Sequence, residues 1–162
     1  METRDLVFSR IFNAPVELVW KIWTDPDIIM QWWGPNMFTC PSAVIDLREG
    51  GTSIVCMRAP KEFGGQDAYS TWTYIKIIPL ERIEYLHNLA NKDGHKINPT
   101  TIGMPAEFPQ DLLNVITFKS LTGSRTELTV TQYGWPVIPM IKMAQMGMEQ
   151  SLDKIEKTLT NM

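Results

Sequence analysis

The chain has 162 residues, of which 44% are apolar and 20% are charged, and its formal net charge is −3. Such a composition is typical of one soluble globular domain with its own core, here residues 1–162. The small negative charge and the absence of a dense Lys/Arg stripe argue against nucleic acid or an anionic membrane as main partner. Because the first residues lack a secretory signal and no apolar run approaches ~20 residues, we expect a cytoplasmic protein without a membrane span.

The predicted elements begin with a strand and two short helices. Apolar residues occupy both alternating sets of residues 3–13, which favours a strand with contacts on both faces. A helix then begins at Ala14-Pro15, and Thr24-Asp25-Pro26 ends it and caps a second helix that runs to Gly34-Pro35. Six strand-like stretches separated by turn residues follow, at 43–48, 52–58, 68–78, 82–89, 112–119 and 125–133.

Residues 90–110 form a long loop between the fifth and sixth predicted strands. Loops of about twenty residues are uncommon inside a compact domain and are usually either disordered or functional. Ile102, Met104 and Phe108 give this loop apolar side chains to bury, so a lid over a site is the second interpretation.

The chain ends in a long amphipathic helix predicted over residues 137–159. Its apolar stripe recurs at three- and four-residue steps and consists of Ile141, Ala144, Met148, Leu152, Ile155 and Leu159. Four methionines lie in its first half, and Gly147 interrupts its middle, where glycine costs about 0.5–1 kcal/mol relative to alanine. Either the methionines fill an irregular core, or this half of the helix faces a cavity with variable contents.

Short turns between successive strands predict an antiparallel sheet, and the period of two assigns its faces. With Arg58, Lys76, Lys119 and Glu127 pointing to water, the predicted inner face holds Val55, Met57, Tyr69, Thr71, Tyr85, His87, Asn114, Ile116, Phe118, Leu128, Val130 and Gln132. This parity leaves Trp72, Tyr74 and Ile78 outside. Either a bulge shifts the register there, or these residues form an outer apolar patch that a second subunit covers. In the second case the protein is a homodimer.

The predicted inner face and helix supply the candidate ligand-binding residues, which are Trp33, Phe38, Met57, Tyr69, Tyr85, His87, Asn114, Ile116, Gln132, Met140, Met143 and Gly147. Polar side chains at fixed points of an apolar pocket give a small molecule its orientation, although backbone groups could equally satisfy them. His87 would titrate near neutral pH, so it is an acid–base candidate, a ligand donor or a hydrogen-bonded core histidine. Trp33 and Phe38 either pack in the core or line the cavity mouth.

Other chemistries find little support in the sequence. There is no nucleophile elbow, phosphate loop or catalytic triad order, so we predict no catalytic residues. Cys40 and Cys56 are the two cysteines, and their spacing fits reduced structural thiols better than a disulfide framework. Because the two histidines lie at no metal-ligand spacing, we expect neither a metal nor a cofactor.

Several motifs in chain order resemble one known superfamily. They include Arg10-Ile11-Phe12-Asn13-Ala14-Pro15, Trp32-Trp33-Gly34-Pro35, Asp46-Leu47-Arg48 with Gly50-Gly51, Ile77-Ile78-Pro79, and Gly147-Met148-Glu149-Gln150-Ser151-Leu152. The chain is similar to the START-like or SRPBCC superfamily, in the branch named after activators of the heat shock protein 90 ATPase. Met148 stands where that branch usually has tryptophan. The resemblance implies an α+β helix-grip fold, in which a curved antiparallel seven-stranded sheet grips a long carboxy-terminal helix around a hydrophobic cavity.

The resemblance is less specific for function, because members variously bind lipids, hormones or polyketides, act as cyclases, or regulate a chaperone. Our leading hypothesis is a non-catalytic binding protein for a small apolar molecule, either a lipid or an aromatic metabolite. The second is a cyclase or hydratase that uses the cavity with His87 as acid or base. The third, motivated by the family name alone, is a regulator of a chaperone ATPase.

Overall fold

Seven strands and three helices follow one another in the order that the sequence predicts. The computed structural model describes residues 1–162. Its strands are β1 (Thr3–Phe12), β2 (Ala43–Val44), β3 (Thr52–Arg58), β4 (Asp67–Ile78), β5 (Arg82–Ala90), β6 (Leu112–Leu121) and β7 (Arg125–Pro136). Its helices are α1 (Val16–Thr24), α2 (Pro26–Trp32) and α3 (Met140–Thr160), with short 3₁₀ turns at Lys61–Phe63 and Pro99–Ile102. None of the helices combines the length and apolar character needed to span a bilayer.

The strands form a single curved antiparallel sheet in the order β1-β7-β6-β5-β4-β3-β2. Successive strands from β2 to β7 are neighbours, and β1 pairs with the last strand, so that α1 and α2 connect the two edges of the sheet. Helix α1 packs against β6 and β7, α2 against β2, and α3 against β1 and both short helices. This α+β architecture confirms the predicted helix-grip fold.

Local chemistry explains the turn between α1 and α2. The Asp25 carboxylate accepts a hydrogen bond from the Asp27 N–H at 2.9 Å, and Pro26 occupies the first turn, where a missing N–H costs nothing. The indole of Trp32 then donates to the Ile22 carbonyl at 2.8 Å, which fastens the second helix to the first. The predicted helix boundary at this site is confirmed.

The inner-face prediction for β4 is wrong at Tyr69 and Thr71. Tyr74 pairs with Tyr85 and Lys76 pairs with Glu84, so Ile75 is an extra residue, a β-bulge, between them. Counting back from the outward Lys76 without this extra residue therefore assigns the residues before the bulge to the wrong face of the sheet. Trp72 and Tyr74 point into the core, where Trp72 is only 1% exposed, so the first of the two alternatives, a bulge that shifts the register, is confirmed. The outer patch of Trp72 and Tyr74, which was the basis for a homodimer, is not formed.

The predicted faces of the later strands agree with the observed pairing. Tyr85, Asn114 and Gln132 lie opposite one another across β5, β6 and β7, in one row on the inner face. Ile116 and Val130 form the next row and are fully buried. The alternation of the strands thus places these side chains on the inner face of the sheet.

Two basic side chains hold α3 in place. Arg10 on β1 reaches up to the helix and contacts the Glu149 carboxylate at 2.8 Å and the Asp153 carboxylate at 2.6 Å. On the opposite side, the Lys154 ammonium donates to the carbonyls of Gly34, Pro35 and Phe38 at 2.9, 3.3 and 3.1 Å. The helix is therefore tied both to the sheet edge and to the loop that follows α2.

Candidate ligand-binding site

An open cavity of about 680 Å³ lies at the rim of the grip, where the start of α3 meets the β3–β4 hairpin and the long loop after β5. Eight of its eleven lining residues are hydrophobic. The lining consists of Phe38, Met57, Ala59, Phe63, Gln66, Asp67, Ala68, Thr101, Ile102, Met104 and Met143. Four segments distant in the sequence therefore build one apolar cavity.

The floor and one wall of the cavity follow from strand pairing and one glycine. Met57 and Ala68 are cross-strand partners on the inner face at the ends of β3 and β4. Gly34 has a φ of 113°, and a Cβ there would lie 3.1 Å from the Cβ of Phe38 and 3.4 Å from Cγ of Met57. The absence of a side chain at this position lets the loop pass close to Met57 and bring Phe38 into the lining.

The long loop supplies the opposite wall. The Asn98 carboxamide accepts from the Thr100 N–H at 3.0 Å and starts the 3₁₀ turn that carries Thr101 and Ile102. The loop ends at Asp111, whose N–H donates to the Asn88 side chain at 2.8 Å while Asn88 donates back to the Asp111 carboxylate at 3.0 Å. These hydrogen bonds fix the loop at the 3₁₀ turn and at its end, Asp111. The loop lines the cavity with Thr101, Ile102 and Met104.

The predicted binding residues divide into two groups. Phe38, Met57 and Met143 line the cavity. The other nine lie outside its lining. Six are on or near the inner face, namely Trp33, Tyr85, His87, Asn114, Ile116 and Gln132. Met140 packs against the core, Gly147 faces Pro35, and Tyr69 lies on the outer face opposite Cys56. The sequence analysis missed most of the hairpin wall, although pairing with Met57 could have indicated Ala68.

Aromatic rings fill the deeper interior, where the resemblance implies a hydrophobic cavity. Trp72 stacks on Tyr85 with ring centroids 5.0 Å apart, and Trp33 and Trp23 lie 5.2 and 5.8 Å from Trp72. Two inner polar side chains are bonded within the chain, since Asn114 donates to the Leu112 carbonyl and Gln132 accepts from the Trp135 indole. The buried indole N–H groups of Trp23, Trp33 and Trp72 have no hydrogen-bond partner. The cavity of about 680 Å³ consequently lies at the rim and not among these rings.

His87 lies in this filled interior next to Trp72 on the neighbouring strand. Its buried Nδ1 has no hydrogen-bond partner, and burial lowers the pKa of the imidazole to about 4. The ring is therefore neutral at neutral pH and has no carboxylate to relay a proton. No group of three or more His, Cys, Asp or Glu side chains is placed to hold a metal ion.

The two cysteines, Cys40 and Cys56, are free and buried, as predicted. Burial is the largest cause that raises the pKa of the Cys40 thiol, to about 11. A thiol with such a high pKa is protonated and unreactive at neutral pH, so Cys40 is a packing residue.

Comparison with known proteins assigns the family. The model of the family described as Activator of Hsp90 ATPase homolog 1-like protein matches residues 13–160. The chain belongs to this family. No match was found among curated protein sequences.

Solved structures share the fold of this chain at low sequence identity. A protein from Chromobacterium violaceum has a TM-score of 0.75 and 24% identity, with 96% of each chain covered. A protein from Arthrobacter aurescens has a TM-score of 0.76 and 22% identity, with 100% of this chain and 92% of that chain covered. The AHSA1 protein from Silicibacter pomeroyi has a TM-score of 0.71 and 17% identity, with 97% and 98% covered. These similarities support the fold, and they extend over nearly the whole chain.

The Gly147→Ala substitution is expected to stabilise this family member by about 0.5–1 kcal/mol, because glycine in a helix interior carries an entropic cost. A Cβ at Gly147 would meet only the Cβ of Pro35, at 3.8 Å, which is an ordinary contact. Urea unfolding would measure the change. As a control, Gly123→Ala should destabilise, since Gly123 has a φ of 74° that alanine adopts only with strain. A loss of stability in Gly147→Ala would show that α3 lies closer to Pro35 than this spacing indicates.

Proposed function

We propose that this chain is a binding protein for a small apolar molecule, a lipid or an aromatic metabolite, and that the molecule occupies the rim cavity. The observation that carries the proposal is the cavity itself. Its volume of about 680 Å³ and its predominantly hydrophobic lining suit a small organic ligand. Membership of a family of ligand-binding or regulator proteins supports the same interpretation.

The side chains of the cavity suit a ligand of variable shape. Met57, Met104 and Met143 contribute three flexible thioethers from a strand, the long loop and α3. Methionine adapts to irregular apolar surfaces because it is unbranched and polarizable. Met143 is 61% exposed, so a ligand at the rim would remove its apolar surface from water, which is favourable.

Catalysis by His87, the alternative from the sequence, receives less support. The imidazole is not part of the cavity lining, lacks a hydrogen-bonded partner and is neutral at neutral pH. A general acid or base must come within hydrogen-bond reach of the proton that it transfers. We therefore favour binding without chemistry.

The proposal is tested by binding of the fluorescent apolar probe N-phenyl-1-naphthylamine. Met143→Asp should raise the probe's Kd at least about tenfold, because it puts a charge against apolar ligand surface. Met146→Asp is the matched control, since Met146 lies on the same helix, is 57% exposed and is absent from the lining. We expect its Kd to stay within about twofold of the unmodified protein.

Thermal shift with a library of lipids and aromatic metabolites would then identify the class of ligand, because a molecule that binds only the native state raises its stability. Absence of both probe binding and any thermal shift would refute the proposed function. Equal losses in the two methionine variants would place the probe away from the rim cavity.

A further inference from the structure

We propose that Met143 is a reversible oxidation site, at which a peroxide converts the thioether to a sulfoxide and weakens the binding of an apolar molecule in the rim cavity. The inference rests on the proposed binding function and concerns how that function is regulated. The accessibility of the sulfur atoms, the position of Met143 in the cavity wall and the polarity of a sulfoxide together support it.

The two thiols, which are the sulfur groups that peroxides usually oxidise first, are shielded in this chain. Cys40 and Cys56 are both buried. Burial is also the largest cause that raises the pKa of each thiol, that of Cys40 to about 11, so both thiols are protonated at neutral pH. Because the thiolate is the form that reacts with a peroxide, neither cysteine competes effectively for the oxidant.

The sulfur groups that solvent reaches are therefore those of methionine. Six of the ten methionines are exposed, namely Met1, Met30, Met37, Met143, Met146 and Met162. Met143 is the one of these six that lines the rim cavity. The other two methionines of the lining, Met57 and Met104, are half-buried. An oxidant dissolved in water therefore reaches Met143 more readily than the other sulfur atoms of the cavity wall.

Hydrogen peroxide supplies the oxygen atom and accepts the electrons. A lone pair of the Met143 Sδ attacks one peroxide oxygen, so that an S–O bond forms while the O–O bond breaks. The proton on the transferred oxygen moves to the departing oxygen, which leaves as water. The sulfur loses two electrons and the peroxide gains them. The product is methionine sulfoxide, which sulfoxide reductases convert back to methionine.

A sulfoxide at position 143 makes an apolar part of the cavity wall polar. Covering the thioether of Met143 with an apolar molecule removes apolar surface from water, which is favourable. Covering the sulfoxide instead takes water away from a polar oxygen, and neither an apolar molecule nor the predominantly hydrophobic lining replaces the lost hydrogen bonds. Oxidation therefore opposes binding at the same residue that the thioether uses to favour it.

Met146 is a matched control for Met143. It lies three residues further along α3 and is 57% exposed, compared with 61% for Met143, but it is absent from the cavity lining. Both thioethers should react with peroxide at similar rates because they are similarly accessible. The oxidation of Met143 alone should change the affinity of the cavity.

Brief treatment of the full chain with hydrogen peroxide, stopped with catalase and followed by titration with N-phenyl-1-naphthylamine, tests the inference. Peptide mass spectrometry should find the added oxygen on Met143 and Met146, with Cys40 and Cys56 unmodified. We expect the Kd of the probe to rise at least about fivefold. Reductases for both sulfoxide epimers should then restore the original Kd.

Two leucine variants assign the effect to its residue, because leucine keeps an apolar side chain and has no sulfur. Each variant is compared with itself before and after peroxide. In Met143→Leu the two Kd values should agree within about twofold, whereas Met146→Leu should show the same rise as the unmodified protein. Circular dichroism before and after treatment would verify that the fold is retained.

Protection by a bound molecule is a second measurement. A saturating concentration of N-phenyl-1-naphthylamine should slow the oxidation of Met143, because the probe covers that side chain. The oxidation of Met146 in the same sample should proceed at its original rate, so Met146 reports how much peroxide remains available.

The outcomes separate this inference from the function on which it rests. An unchanged Kd in protein whose Met143 is oxidised would overturn the inference and leave the binding function standing. A rise in Met143→Leu equal to that of the unmodified protein would overturn the role of Met143. Failure of the untreated protein to bind the probe would overturn both proposals.

Discussion

Replacing Trp72 with alanine is expected to lower the free energy of unfolding by about 3–5 kcal/mol, as large-to-small substitutions of buried aromatic residues do. Trp72 stacks on Tyr85 and contacts the rings of Trp23 and Trp33, so its removal would leave a cavity at the centre of the aromatic core. The surrounding rings come from α1, the residue that follows α2, and β5, and they cannot all move to fill the space. Urea unfolding followed by circular dichroism measures the loss.

Ile75→Ala is the matched control on the same strand. Ile75 is the extra residue of the β-bulge and is 50% exposed, so its truncation should cost less than about 1 kcal/mol. Without the bulge, the parity set by the outward Lys76 would place Ile75 inside and Trp72 outside. A larger loss in Ile75→Ala than in Trp72→Ala would contradict the observed register of β4.

Stability is expected to fall by about 3 kcal/mol as the pH falls from 6.5 to 4, because of His87. Burial lowers the pKa of this imidazole from 6.5 to about 4 in the folded protein, so the unfolded chain binds the proton first. Above pH 6.5 His87 is neutral in both states and adds no pH dependence. Through the window down to pH 4, protonation favours the unfolded state progressively, and urea unfolding at several pH values measures the slope.

His87→Leu should remove most of this slope, and His95→Gln, a change of the exposed histidine in the long loop, should retain it. Asp67 and Asp111, the carboxylates whose pKa is lowered, affect stability at a pH below this window. Hydrogen bonds from Arg58 and Lys96 respectively are the main cause, so their contribution is present above the usual carboxyl range and is lost below it. An unchanged slope in His87→Leu would show that His87 is protonated in the folded protein near its ordinary pKa.

Part of the candidate site could be predicted from the sequence. Met57 follows from strand alternation, Phe38 from its place after a glycine-proline break, and Met143 from the methionine-rich start of the last helix. The apolar residues Ile102 and Met104 in a long loop indicated that the loop would cover something. Ala59, Phe63, Gln66 and Asp67 gave no such indication, because a hairpin end becomes a cavity wall only when another segment faces it.

Features that depend on interactions between neighbouring residues are determined by the sequence alone, whereas features that depend on contacts between distant segments are decided by the tertiary structure. Neighbouring residues determine the order of elements, the Asp25 cap and the buried stripe of α3, because periodicity and capping act over a few positions. The bulge at Ile75 depends on the pairing of β4 with β5, and a shift of one residue moves every side chain to the other face. Trp72 therefore fills the interior instead of covering the outside. The space left for a ligand is set by how those rings and four distant segments meet, which only the folded chain decides.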